Sequence, residues 1–308
     1  MKKVGHFFLS ILKGIGIGIS CIIPGVSGGS FALLTNCYDE IVGAVSNIFK
    51  NFLKSFLVLL PIAIGVILGA VLGLFGIAKA FEYILFSIIA LFAGLILGSV
   101  PSLVSEVKKE RINPTYALAF ILAFVFVVAI GIISFVIEIE YPTYSVDYLF
   151  ENPKWYLYLI MIPVGAIASF ALVAPGISGS MILLVLGFYD PILDTIKNFV
   201  KFEHPLQNFF LLLSFTVGVV VGGFFIAKLM KYLLEKHRTI TYYTIIGFVS
   251  GSLISIFLNV DIYFGDGTYA GLCANPKELL LGIPLLIAGA VASFFLIKLM
   301  RKHTSKNA

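Results

Sequence analysis

Charged residues are scarce in this chain. Asp, Glu, Lys and Arg together make up 12% of its 308 residues, whereas 60% are hydrophobic and the mean hydropathy is +1.06. So little polar surface could not cover a globule in water, so the composition predicts an all-α integral membrane protein. The sequence also lacks the basic, aromatic-rich face that nucleic-acid binding requires, and we expect no nucleic-acid partner.

Cysteine is rare as well, and the three present, Cys21, Cys37 and Cys273, show no disulfide or metal-binding pattern. The four histidines lie in terminal or loop regions without the spacing of metal ligands. HExxH, GxSxG and P-loop lysine motifs are absent. These absences give no support to hydrolytic or nucleotide-driven chemistry. We therefore expect a protein that is not an enzyme and has no metal or cofactor.

A short motif occurs twice in the chain. Residues 24–30 read PGVSGGS, and residues 175–180, which begin 151 positions later, read PGISGS. The residues that follow each motif continue to align without a gap. The pattern indicates an internal duplication, with a first repeat over 1–145 and a second over 146–308.

Each repeat is predicted to hold one re-entrant helical hairpin followed by three transmembrane helices. The apolar arms beside each motif are too short to cross the membrane, which predicts a helix break buried near its midplane. For the first hairpin, one long kinked helix over 7–45 is the alternative. Glycines four residues apart in several crossings predict close helix contacts. The predicted hairpins cover 5–45 and 155–190, and the predicted crossings cover 56–78, 84–104, 115–138, 208–229, 241–258 and 279–300.

Three crossings per repeat are an odd number, so the second repeat must be inverted relative to the first. The charges agree, because 106–111 and 228–238 are charged or basic segments typical of the cytoplasmic side, whereas 138–154 is acidic. Both termini are therefore expected in the cytoplasm. Inverted repeats with broken helices recur among transporters, which bind substrate between the repeats near the midplane.

The two motifs, which we call the first and second tips, predict a site for an anion. A helix usually ends before proline, glycine allows a sharp reversal, and serine is a favoured N-cap. Two opposed helix N-termini with hydroxyl groups suit a phosphate or carboxylate. The alternative is that glycine and serine only allow the helices to turn and pack. The candidate phosphate-binding residues are Ser27, Gly28, Gly29, Ser30, Ser178, Gly179 and Ser180.

Five further residues near the tips are secondary candidates. Lys13 either meets an anion moving along the hairpin or extends to the inner interface. Tyr38 and Tyr189 are expected to end the second arms, where they either bond a headgroup or belong to an interfacial aromatic belt. Asp39 and Asp190 are either coupling-ion sites or solvated helix ends.

The doubled motif, with Tyr38 after the first copy and the sequence GFY at 187–189 after the second, resembles the bacterial polyprenyl-phosphate transporter (PopT) family. The resemblance covers nearly the whole chain. It departs from the family pattern at Asn36, where glycine is usual, and at Ser30, where threonine is common; Asn36 therefore raises a question about packing in the first arm.

The resemblance implies a carrier in the bacterial cytoplasmic membrane that returns undecaprenyl phosphate to the inner leaflet for cell-wall polymer synthesis. Alternating access to a midplane phosphate site would move the headgroup. A small-anion channel or exchanger using the same helix ends is the alternative. The expected partners are polyprenyl phosphate and membrane lipids, and a coupling ion (proton or sodium) and an oligomeric state are left open.

Overall fold

The computed structural model describes residues 2–22, 27–73, 78–107, 113–141, 145–265 and 271–305. All regular structure in these residues is helical, so the predicted all-α class is confirmed. A 3-10 turn at Pro276–Glu278 precedes the last helix. In chain order the helices are α1 (Lys2–Ile22), α2 (Gly28–Leu34), α3 (Tyr38–Ser46), α4 (Phe52–Leu72), α5 (Ala78–Val107), α6 (Pro114–Glu140), α7 (Tyr148–Glu151), α8 (Trp155–Val173), α9 (Gly179–Val185), α10 (Tyr189–Val200), α11 (Pro205–Lys236), α12 (Arg238–Ser255), α13 (Val260–Phe264), α14 (Gly271–Ala274) and α15 (Leu279–Ser305).

Within the described residues, six stretches are long and apolar enough to cross a membrane. They overlap, one for one, the six segments predicted as crossings. The division of the chain into two inverted repeats stays a prediction. The six stretches are Phe52–Leu72, Tyr83–Val107, Pro114–Glu140, Pro205–Lys236, Arg238–Phe264 and Pro276–Phe295.

The helices are interrupted at both tips. At the first tip α1 ends at Ile22 and α2 begins at Gly28, while Pro24, Gly25 and Val26 lie outside the described residues. At the second tip α8 ends at Val173 and α9 begins at Gly179. The apolar stretches of α1 and α8 that lead to the tips are shorter than a membrane span. Residues 7–45 are thus divided among three helices.

The second arm of each hairpin differs from its prediction, because it is two helices rather than one. A turn at Thr35–Cys37 separates α2 from α3, and the corresponding turn makes α9 and α10 meet at 109°. Asn36 at the first turn has φ 53° and Gly187 at the second has φ 75°. Asparagine tolerates this left-handed backbone better than most residues, so Asn36 can replace the glycine that is usual there.

The eight longest helices pack in four close pairs: α1 with α4, α8 with α11, α5 with α15, and α6 with α12. Glycines form these seams as predicted, since a Cβ on Gly65, Gly218 or Gly94 would overlap the backbone of the facing helix. The last two pairs join the first half of the sequence to the second, because α5 and α6 lie before residue 145 and α12 and α15 after it.

The buried centre of the protein lies where α5 crosses α12. Of the residues in the apolar stretches of these two candidate spans, 67% and 56% are buried inside the protein, whereas the share is 17–28% in the other four spans. Ile89 of α5 and Ile256, which directly follows α12, are fully buried in the same hydrophobic cluster. The outer faces of α6, α11 and α15 instead expose large apolar side chains such as Leu122, Val220 and Leu280, as lipid-facing helices do.

Candidate functional site

Ser27 occupies the N-cap position of α2 at the first tip, as predicted, but its side chain caps nothing. Its backbone is extended (φ −96°, ψ 126°), and the first helical bond runs from the Phe31 amide to the Ser27 carbonyl at 3.2 Å. The hydroxyls of Ser27 and Ser30 are buried, and neither has a hydrogen-bond partner among the described residues. A buried hydroxyl without a partner costs about 1–3 kcal/mol, so these two groups are suited to bind a polar ligand.

The second tip repeats the same backbone. Ser178 is the N-cap of α9 with φ −87° and ψ 126°, and the Ile182 amide donates to its carbonyl at 3.3 Å. Here the hydroxyls are paired, because Ser178 Oγ lies 2.8 Å from Ser180 Oγ. Gly176, in the turn before, has φ +88°, and a Cβ on it would overlap the backbone of Phe248 on α12. Only glycine fits at that position.

The two tips are neighbours around the end of α8. Tyr38 donates a hydrogen bond from its hydroxyl to the carbonyl of Val173, the last residue of α8, at 2.8 Å. Val173 also lines a cavity together with Gly28 and Gly29 of the first tip. Both α2 and α9 pack against α8. The structure therefore places the glycines of the first tip beside the end of α8, the helix that leads to the second tip.

A polar cavity of about 80 Å³ lies beside the second tip, lined by Ser180 and Tyr189. Two carboxylates, Glu138 and Asp261, line the same space. Glu138 accepts a hydrogen bond from the Val260 amide at 3.3 Å, which holds its side chain against α13. From the sequence, Glu138 ends the predicted crossing 115–138 and begins the acidic segment 138–154. Its position inside the last turn of an otherwise apolar helix was the signal for a role at the site.

The structure separates the alternatives for the tyrosines. Tyr38 is 4% exposed and bonded to backbone, so the interfacial-belt interpretation was wrong for it. The expectation that both tyrosines end the second arms is wrong, because Tyr38 is the first residue of α3 and Tyr189 the first residue of α10. Tyr189 faces the polar cavity, where its hydroxyl can reach a ligand.

Three charged candidates lie outside both tips. Asp39 and Asp190 are exposed in the first turns of α3 and α10, where a carboxylate stabilises the helix dipole. Lys13 is half-buried on α1, within electrostatic range of Cys37, and has no ion pair among the described residues. None of the three lines the cavities described at the tips.

The turns that follow the two tips lie near opposite ends of α6. Asp39 lies within electrostatic range of Arg238 and Glu106, whose side chains form an ion pair at 2.8 Å. Tyr189 lies near Glu138 at the far end of α6. The start of α6 is at the Arg238 end, where Tyr116 stacks on Tyr243 of α12. With its 27 residues, α6 is about 40 Å long, and the two turns lie apart by much of this length.

Fold and site together define a multi-pass membrane protein with two serine-bearing helix breaks that are followed by helices packed against α8. A family model described as undecaprenyl phosphate translocase-like matches residues 17–263. The chain belongs to this family, and the resemblance to polyprenyl-phosphate transporters is confirmed.

Two curated relatives carry the name polyprenyl-phosphate transporter. The protein of Staphylococcus aureus (strain NCTC 8325 / PS 47) is 34% identical over 258 residues, which are 81% of this chain and 86% of the relative. That of Vibrio cholerae serotype O1 (strain ATCC 39315 / El Tor Inaba N16961) is 27% identical over 269 residues, which are 83% of this chain and 79% of the relative. No solved structure gives a significant match.

Proposed function

We propose that this protein carries undecaprenyl phosphate across the cytoplasmic membrane, with the headgroup bound between the two tips. The observation that carries the proposal is the pair of buried, unpartnered hydroxyls of Ser27 and Ser30 beside a helix break. Phosphate oxygens would accept hydrogen bonds from both hydroxyls and so remove the cost of leaving them unpaired. Gly28, Gly29, Ser178, Gly179 and Ser180 complete the site, with amide and hydroxyl donors.

A phosphate monoester needs such a site to cross a membrane. It carries a charge of about −1.5 to −2 at neutral pH, and a bare charge in hydrocarbon is costly. The names of the two relatives support polyprenyl phosphate as the substrate. The small-anion channel predicted as the alternative would not need the apolar cavity beside Gly28 and Gly29, which favours a lipid.

The two hairpins would serve the two sides of the membrane in turn. This is supported by their turns lying at opposite ends of α6, one beside the Arg238–Glu106 pair and the other beside Glu138. The basic end would face the cytoplasm, with both chain termini, and the acidic end the outside. Alternating exposure of one shared phosphate site would then return the lipid to the inner leaflet for reuse in cell-wall polymer synthesis.

A coupling ion would act at Glu138 and Asp261 rather than at the exposed Asp39 and Asp190. The two carboxylates share a cavity with Ser180, where they would repel a phosphate. A proton or a sodium ion bound between them would lower this repulsion. Entry of the cation and of the phosphate would therefore favour each other, which is the requirement for cotransport.

The double variant Ser27→Ala with Ser178→Ala tests the phosphate site. We expect transport of polyprenyl phosphate in proteoliposomes to fall by at least about a hundredfold, since two charge-assisted hydrogen bonds contribute about 1.5–3 kcal/mol each and together about 3–6 kcal/mol. Ser27→Ala alone should leave thermal stability unchanged or slightly higher, because it removes an unpaired buried hydroxyl.

Ser99→Ala is the matched control. Ser99 on α5 is as buried as Ser27, but its hydroxyl already donates to the Ile96 carbonyl at 2.6 Å. This variant should transport normally. Unchanged transport by the double variant would refute the phosphate site at the tips.

A further inference from the structure

An apolar cavity of about 240 Å³ lies next to the first tip. It is lined by residues of α1, α2, α3, α4 and α11 and by the end of α8. Gly28 and Gly29 form one wall, and the exposed Cys21 lies at its edge. The side chains that close it are small or branched hydrocarbons: Ile17, Ala32, Val42, Ile62, Val173 and Ala227.

The lining offers almost nothing to a polar ligand. The hydroxyl of Tyr38 is the one side-chain oxygen among the residues that line this cavity, and it already donates to the Val173 carbonyl. A charged or hydrated occupant would therefore lose its solvation without replacement. A hydrocarbon would lose nothing and would supply the dispersion contacts that the lining lacks while the space is empty.

The volume corresponds to a short piece of hydrocarbon. An engineered protein cavity of about 150 Å³ accommodates benzene, which has six carbons. A space of about 240 Å³ scales on that basis to roughly ten carbons, which is two isoprene units.

The position next to Gly28 connects this space to the phosphate. In a polyprenyl phosphate a single ester oxygen joins the phosphorus to the first isoprene carbon. A headgroup at the Gly28 and Gly29 amides would thus place its first isoprene units within a few bond lengths of the cavity. The Gly28 amide also faces the Cys21 sulfur, so the cavity edge and the tip share this residue.

We propose that this cavity binds the first two isoprene units of the substrate, while the rest of the tail stays in the lipid. The inference rests on the proposed function, because it takes the phosphate to be at the tips. It adds a specificity: the protein recognises the phosphate together with the hydrocarbon next to it. Tail length beyond two units then does not affect recognition.

Thermal-shift titration of the purified full chain with phosphate monoesters of increasing length tests the proposal. We expect geranyl phosphate, with two isoprene units, to bind about tenfold more tightly than methyl phosphate, and farnesyl phosphate to gain less than about twofold more. In Ala32→Leu and Ala227→Leu, which fill the cavity, geranyl and methyl phosphate should bind within about twofold of each other.

Ala63→Leu is the control for added bulk. Ala63 is exposed on the outer side of α4, next to the cavity residue Ile62, and this variant should keep the preference of the wild type. Equal binding of methyl and geranyl phosphate by the wild type would overturn the proposal while leaving the phosphate site intact. Equal binding of decyl and geranyl phosphate would overturn the assignment to isoprenoid. If no phosphate monoester binds, the proposed function itself fails.

Discussion

The two tips have nearly the same backbone but different surroundings. Ser27 and Ser178 have φ values of −96° and −87° and the same ψ of 126°. Around the first tip the hydroxyls are unpaired and the adjoining cavity is apolar. Around the second the hydroxyls pair with each other and the adjoining cavity holds two carboxylates. The repeated motif thus specifies a backbone shape, while residues outside the motif decide what each tip can bind.

The largest expected effect is a difference in stability between alanine substitutions at two glycines of the second tip. Gly176→Ala should destabilise the protein by several kcal/mol, because φ +88° alone costs an alanine about 1–3 kcal/mol and its Cβ would overlap the Phe248 backbone. Gly179→Ala places its Cβ 3.7 Å from the Ala168 carbonyl oxygen, an ordinary contact, and should be folded normally. Thermal unfolding in detergent measures both, and equal melting temperatures would contradict the geometry at Gly176.

A smaller effect is expected from the acidic cavity, which has no counterpart at the first tip. Glu138→Gln should bind phosphate at least about thirtyfold more tightly at alkaline pH, because a charge near the anion is worth about 2–4 kcal/mol at an effective dielectric of 20 and each 1.4 kcal/mol is about tenfold. The charged and titratable groups around Glu138 are Asp261, Tyr189 and Asp190.

The sign of the pH effect follows from the carboxyl group. As pH rises Glu138 loses its proton and repels phosphate in the wild type, whereas the glutamine stays neutral. The ratio of variant to wild-type affinity should therefore increase with pH, and the titration of phosphate itself cancels in that ratio. Asp190→Asn, at an exposed position outside the cavity, should show a smaller increase. A ratio independent of pH would remove Glu138 from the coupling scheme.

The smallest expected effect is a difference in stability between phenylalanine substitutions at the two aligned tyrosines. Tyr38→Phe loses the hydrogen bond to Val173 and should lower the free energy of unfolding by about 0.5–1.5 kcal/mol. The Tyr189 hydroxyl makes no such bond within the described residues. Tyr189→Phe should therefore leave stability unchanged while weakening phosphate binding a few-fold. If both variants lose the same stability, the two hydroxyls have the same structural role and the contrast between the tips is weaker.

The sequence predicted the six membrane-length helices and both helix breaks, because hydrophobic length and Pro-Gly pairs are local signals. It also predicted the glycine seams, which are now seen at Gly65 and Gly218. It missed the turn at Asn36, whose left-handed backbone only the aligned Gly187 suggested. The bond between Tyr38 and Val173 joins residues 135 positions apart, and no local pattern contains it. Glu138 was not singled out from the sequence, because its cavity forms only where α6, α9 and α13 meet.

The four helix pairs have a consequence for how the molecule can move. Because α5 holds α15, α6 holds α12, and α5 crosses α12, these four helices form a frame built from both halves of the sequence. The remaining pairs, α1 with α4 and α8 with α11, are linked through α3 and α11 into a second body that carries both tips. A motion that preserves these close seams cannot hinge between the first and second halves of the chain. Such a motion would instead slide or tilt the tip-carrying body against the frame, and both halves of the sequence contribute helices to each of these two bodies.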